Sequence, residues 1–147
     1  MCITIDLMKE EDIDGLLAVS SLSFSDSWSK ASYIQELSNP VAKYFIAKTD
    51  NKVVGFAGTW IVLDEGHITN IAVHPDFRGK GIASKLLVEL INYCSSNHGC
   101  IAYTLEVRSG NKAARGLYEK YNFKEAGIRK GYYEDNKEDA VLMWLKE

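Results

Sequence analysis

Hydrophobic and polar positions change period several times along the chain, and each change marks an element. Residues 2–7 alternate, with Ile3, Ile5 and Leu7 on one face, which predicts a short half-buried strand. Over residues 10–23, Ile13, Leu16 and Leu17 form a helical stripe. Residues 29–37 predict a second short helix, ended by Ser38-Asn39-Pro40. Two strands follow, at 43–49 and 53–63, joined by the hairpin turn Asp50-Asn51-Lys52. A further turn at Asp64-Glu65-Gly66 leads into a strand over residues 67–73.

The period then switches. After a turn-rich loop at 74–81, Ile82, Leu86, Leu87, Leu90, Ile91 and Cys94 recur on one face of a helix that stops near Ser96-Asn97-His98-Gly99. Residues 101–108 alternate again, with Ile101, Tyr103, Leu105 and Val107 on one face and Ala102, Thr104, Glu106 and Arg108 on the other. A helix capped by Asn111 carries Ala114, Leu117, Tyr118 and Tyr121, and strands near 123–132 and 139–145 finish the chain. The expected fold is α/β, in the order β-α-α-β-β-β-α-β-α-β-β, with about seven strands and four helices.

Length and composition narrow this further. At 147 residues, a single domain over 1–147 is expected. A composition that is 46% hydrophobic and 25% charged excludes collagen-like, disordered and disulfide-scaffold classes. No apolar run approaches the roughly 18 residues of a membrane span. The start Met1-Cys2-Ile3-Thr4-Ile5-Asp6 lacks the basic and apolar stretches of a secretory leader, so a soluble cytoplasmic protein is expected. Seventeen basic against twenty acidic residues give a net charge of −3, which argues against nucleic-acid binding by bulk electrostatics. Cys2, Cys94 and Cys100 lack metal-ligand spacing and His67, His74 and His98 are scattered, so no metal is expected.

The segment richest in chemistry is Arg78-Gly79-Lys80-Gly81-Ile82-Ala83, between a strand and the amphipathic helix. A helix start has unpaired N–H groups and about half a positive charge, and glycines let a bulky anion approach the backbone. A phosphate cradle fits these properties. The dinucleotide fingerprint does not, since Ser84 stands where its third glycine belongs, and no Walker string occurs. On the glycines alone, a tight turn bearing two solvated cations reads better.

The surrounding string changes that reading. Residues 70–83, Asn-Ile-Ala-Val-His-Pro-Asp-Phe-Arg-Gly-Lys-Gly-Ile-Ala, resemble the acetyl-CoA-binding motif R/Q-x-x-G-x-G/A of the GNAT N-acetyltransferases, with Arg78, Gly81 and Ala83 at its fixed positions. The element order over nearly the whole chain is similar to that family's, which implies a GNAT fold: one mixed, mostly antiparallel twisted sheet flanked by helices. The resemblance implies acetyl-CoA as cofactor, its pyrophosphate on Gly79, Lys80, Gly81, Ile82, Ala83 and Ser84. Its arm would lie beside Ile71, Ala72 and Val73. Leu105-Glu106-Val107-Arg108, Asn111, Leu117-Tyr118-Glu119, Tyr132-Tyr133, Glu138-Asp139-Ala140, Ser27-Trp28-Ser29 and Val62-Leu63-Asp64-Glu65 look like the RimI-type branch. That branch acetylates the N-terminal alanine of ribosomal protein bS18.

What the resemblance implies can be stated residue by residue. Glu106 would be the general base for the α-amine and Tyr118 the general acid for the thiolate; by residue pattern alone they read as a solvent-facing glutamate and a core tyrosine. Asn111 would bind the cofactor arm, or only cap its helix. Backbone N–H groups around Val73 would receive the oxyanion, provided their strand splays from the Glu106 strand. Trp28, Asp64, Glu65, Tyr132 and Tyr133 would wall the peptide site, though each also reads as ordinary loop packing. The expected partner is a protein N-terminus, that of bS18, with no nucleic acid and no membrane. The chain itself is expected to be monomeric, with at most weak dimerisation. Two other functions are compatible with the pattern: a GNAT enzyme of a small amine (polyamine, amino acid or drug), and a non-catalytic acetyl-CoA-binding module.

Overall fold

The computed structural model describes residues 2–24 and 28–146. Their seven strands form one sheet in the order β1-β2-β3-β4-β5-β7-β6. Strands β1 (Thr4–Leu7), β2 (Ala42–Thr49), β3 (Lys52–Val62) and β4 (Glu65–Val73) make an antiparallel meander. Asp50 and Asn51 turn the β2–β3 hairpin with φ of 51° and 62°, a left-handed turn that matches strand twist and that Asp and Asn tolerate. Strand β5 (Ala102–Arg108) runs parallel to β4.

The last two strands are not in chain order. β7 (Ala140–Lys146) lies between β5 and β6 (Lys124–Arg129), pairing antiparallel with both. Side-chain character explains the choice. β7 buries Ala140, Val141 and Met143, whereas no residue of β6 is buried. The apolar strand takes the interior and the polar one the edge.

Helices cover both faces. On one, α1 (Ile13–Ser23) and α2 (Lys30–Ser38) bring Ile13, Leu16, Val19 and Tyr33 against Tyr44, Ile46 and Phe56. The α2 start is capped by Ser29, whose hydroxyl accepts the Ser32 N–H at 3.2 Å. On the other face, α3 (Ile82–His98) buries Ile82, Leu86, Leu87, Leu90 and Cys94, with Tyr118 of α4 (Lys112–Lys120) in the same cluster. Ile101, expected within the strand on one face with Tyr103, Leu105 and Val107, instead precedes β5 and is 55% exposed. Its N–H donates to the Asp64 carbonyl at 2.8 Å, which ties the entry to β5 to the β3–β4 turn. Among the described residues no helix is long and apolar enough to cross a membrane, and no three or more His, Cys, Asp or Glu gather as a metal site.

The feature that creates a site is a short seam. β4 and β5 pair at three positions only: Glu65 with Ala102, Gly66 with Tyr103 and His67 with Thr104. Just beyond, the β3–β4 register slips between Gly58/Asn70 and Thr59/Ile68, which makes Thr69 an extra residue of β4. Such a bulge bends its strand and raises the local twist. From this point β4 and β5 diverge.

Candidate active site

The divergence opens a crevice of about 260 Å³ whose walls include Ile68, Thr69, Asn70 and Ile71 of β4 and Leu105, Glu106, Val107 and Arg108 of β5. The His74 N–H donates to the Val54 carbonyl at 2.8 Å, which sets the parity of the ladder. In an antiparallel pair, alternate residues bond to the partner. Residues 70, 72 and 74 therefore bond to β3, and the N–H groups of Ile71 and Val73 point to the side from which β5 has departed. The Val73 carbonyl on that side accepts from Arg78 Nε at 3.0 Å, and Arg78 Nη2 also reaches Ser23 Oγ at 3.5 Å. Arg78 thus braces the loop against β4 and α1, in addition to carrying charge there.

One end of the crevice meets the glycine loop. Gly79 and Gly81 take φ of 76° and 79°, in the left-handed region open to glycine, and Gly81 is the residue before α3 with no side-chain cap. The first N–H groups of α3 therefore face outwards over the loop. A Cβ at either glycine would meet no atom within 4 Å, so the space above the loop is clear for a ligand. A cavity of about 440 Å³ adjoins it, lined by Ile71, Ala72, Val73, Arg78, Gly79, Gly81, Ile82, Ala83, Ser84, Asn111 and Tyr118 among others. Lys80 is exposed and stands outside that lining. The donor set, all backbone N–H with a cation beside it, fits a pyrophosphate. Ala114 and Leu117, expected in a buried helix face, are half-exposed because they form another wall of this cavity.

Glu106 and Tyr118 both face the crevice. The Glu106 Oε2 atom is buried without a hydrogen bond, and its cation neighbour is Arg129, whose Nε lies 3.7 Å away. The Glu106 carboxylate also takes a hydrogen bond from Tyr132, and as a residue lining the crevice it can accept a proton from an amine that reaches it. Tyr118 is 6% exposed; burial, followed by the neighbouring Tyr133, raises its phenol far above the ordinary range. It stays a neutral proton donor at any working pH. The Asn111 side-chain oxygen accepts the Ala114 N–H at 3.2 Å, so the expected cap is present, while Asn111 also lines the cavity.

A larger cavity of about 1000 Å³ adjoins the crevice and shares Glu106 with it. Trp28, Tyr132 and Tyr133 line it; Asp64 and Glu65 do not. Those two carboxylates sit at the β3–β4 turn, at the paired end of the seam, where Glu65 stands 3.8 Å from His67 Nε2. Ser27 lies outside the described residues. The cavity also contains Trp60, Trp144, Arg108 and Arg129, which the sequence pattern did not single out. Trp60 Nε1 donates to the buried Glu36 carboxylate at 2.7 Å, and the Trp28 and Trp60 ring centroids lie 6.1 Å apart with the planes tilted by 31°. A tryptophan in each of two strands was the available signal, but only the sheet order shows that β3 and β7 contribute to the same cavity.

Comparison with known proteins agrees with this geometry. Residues 13–123 match the acetyltransferase (GNAT) family. The chain belongs to the GNAT family. A Bacillus subtilis protein provisionally named a ribosomal protein bS18-alanine N-acetyltransferase is 40% identical over 139 residues, covering 94% of this chain and 91% of its own. The ribosomal protein bS18-alanine N-acetyltransferase of Salmonella typhimurium is 35% identical over 146 residues, covering 97% and 96%. The crystal structure of the Escherichia coli ribosomal-protein-S18-alanine N-acetyltransferase superposes with a TM-score of 0.90 at 33% identity, covering 99% of this chain and 94% of that one. As a GNAT protein the chain is an N-acetyltransferase that uses acetyl-CoA.

Proposed function

We propose that this GNAT enzyme acetylates the α-amine of a protein N-terminus, with the N-terminal alanine of ribosomal protein bS18, the acceptor named for its relatives, as substrate. One observation carries the reading. The crevice that leads to the glycine loop adjoins the large aromatic cavity, and among the described residues Glu106 is the one carboxylate that lines both, so donor and acceptor can meet beside it.

Acetyl-CoA, when bound, supplies an activated acyl carbon and a thiolate leaving group. The residues of the chain do the rest. Amides from Gly79 to Ser84 hold the pyrophosphate, and Ile71, Ala72 and Val73 flank the arm, with the Asn111 amide group beside it. An α-ammonium loses its proton at a pKa of about 7.7–8.0, so Glu106 has a modest transfer to perform, directly or through one water. The outward N–H of Val73, seconded by Ile71, meets the negative charge that develops on the acyl oxygen. One such donor is worth roughly 2.7–4 kcal/mol in known enzymes. Tyr118, kept neutral by burial, delivers a proton to the departing sulfur. Trp28, Tyr132 and Tyr133 flank the first residues of the acceptor.

The charge pattern of the cavity disfavours a polyamine. Glu106, Glu134 and Asp135 share it with Arg108 and Arg129, so no dense acidic pocket forms. The test is thiol release from acetyl-CoA with a peptide beginning Ala-Arg-Tyr, set against spermine and free amino acids. Turnover with the peptide is expected; turnover with small amines alone would overturn the proposal.

A further inference from the structure

β5 places Glu106 and Arg108 two residues apart, hence on one face, and both line the large cavity. Arg108 turns both terminal nitrogens of its guanidinium away from Glu106 toward one loop. Its Nη1 donates to Asp135 Oδ1 at 3.1 Å and to Asn136 Oδ1 at 3.3 Å, and lies 3.5 Å from Glu138 Oε1. Its Nη2 donates to Asp135 Oδ2 at 3.0 Å, which completes a two-point grip on that carboxylate. The guanidinium also covers the Tyr133 ring, 4.0 Å from its centroid.

Every one of these partners belongs to the connection between β6 and β7, residues 130–139. That segment has no strand pairing and carries Tyr132 and Tyr133. Within it, the Gly131 N–H donates to Asp139 Oδ1 at 2.9 Å and the Tyr133 N–H to the Glu138 carbonyl at 3.2 Å; its other ties outward are the Gly110 N–H to Glu138 Oε2 at 2.7 Å, the Ser109 N–H to the Asp139 carbonyl at 2.9 Å, and Tyr132, which hydrogen-bonds Glu106 and lies under Arg129. We infer that Arg108 is a positioning residue that fastens the Tyr132–Tyr133 wall to the strand bearing Glu106, and so keeps formed the surface on which the first residues of the acceptor bind. The inference rests on the acceptor-side reading of the large cavity given above. It has a second effect: Arg108 occupies the Asp135 and Glu138 carboxylates, which leaves the lip without an acidic cluster. Lysine cannot replace it, since an ammonium neither grips both oxygens in a plane nor stacks on a ring in the same way.

The test is steady-state kinetics with the Ala-Arg-Tyr peptide. For Arg108→Met, the acceptor KM is expected to rise on the order of tenfold to hundredfold, because loosening the wall removes contacts that hold the acceptor equally in the ground and transition states. The kcat and the KM for acetyl-CoA should stay within about twofold, a split that general loss of folding would not produce. Arg108→Lys should behave as Arg108→Met does. Asp135→Asn, on the exposed loop, should raise the acceptor KM by a smaller factor, and the double variant should be no worse than Arg108→Met alone. If Arg108→Met and Asp135→Asn leave the acceptor KM unchanged while Tyr133→Ala raises it, the clamp is overturned and the wall stands. If Tyr133→Ala also leaves it unchanged, the wall and the clamp fall together. A fall in kcat at constant KM would place Arg108 in the chemistry and overturn its positioning role.

Discussion

Gly58 of β3 leaves the room that the side chain of Thr69, the extra residue of β4, occupies: a Cβ on Gly58 would lie 2.7 Å from Thr69 Oγ1 and 2.5 Å from the Tyr44 ring. The bulge therefore depends on a missing side chain across the ladder. Because the β4–β5 seam ends at His67, one residue before the slip begins, this pair of positions controls where the crevice opens. Gly58→Ala is expected to destabilise the fold by about 1–3 kcal/mol, the usual cost of overpacking, as read by urea denaturation. Activity per folded molecule should fall as well. A variant as active and as stable as the parent would show that the bulge tolerates a filled position.

Glu106→Gln keeps the size of the side chain and removes its basicity. Turnover should drop by about 10²–10⁴-fold, while the affinity for coenzyme A, measured by calorimetry, stays nearly constant. An unaltered rate would mean that the amine loses its proton elsewhere.

Gly81→Asp tests the cradle. The position has a φ of 79°, a left-handed region that Asp tolerates better than most side chains, and the new carboxylate would project into the clear space over the loop. Bulk and like charge should weaken coenzyme A binding, seen as a raised acetyl-CoA KM and a raised dissociation constant. Undiminished affinity would move the pyrophosphate off this loop.

Buried phenols predict the response to alkali. Burial, the largest cause in each case, raises the pKa of Tyr33, Tyr44, Tyr118 and Tyr133 from an ordinary 10.0, to about 12 for Tyr133. The folded chain holds these protons more tightly than the unfolded chain. Their contribution to stability is whole below the unfolded value, near pH 10, and is lost as pH rises from there through the folded values. Urea midpoints should therefore decline above about pH 10, and Tyr118→Phe should make the decline shallower. A decline of equal steepness in the variant would show that Tyr118 does not keep its proton on folding.

Periodicity was enough to find the strands, the helices and the cap at Asn111, because each is a local pattern of apolar spacing or turn chemistry. The glycine loop was legible for the same reason: its residues are contiguous. Relations across strands were not. The insertion of β7 beside β5 depends on which of two hairpin strands is more apolar, and the slip at Thr69 exists only once β3 and β4 are aligned. Trp60 and Trp144 reach the cavity of Glu106 from strands far apart in sequence. Arg78 looked like a cation for phosphate, yet its bond to the Val73 carbonyl gives it a bracing duty that no spacing could disclose.

That bond also bears on how the molecule keeps to itself. A row of unsatisfied backbone groups on a strand invites a neighbouring chain to dock and extend the sheet. Here the exposed stretch of β4 lies at the bottom of a cleft rather than on the rim, and the guanidinium of Arg78 occupies one of its acceptors. The opening between β4 and β5 is thereby a poor template for aggregation.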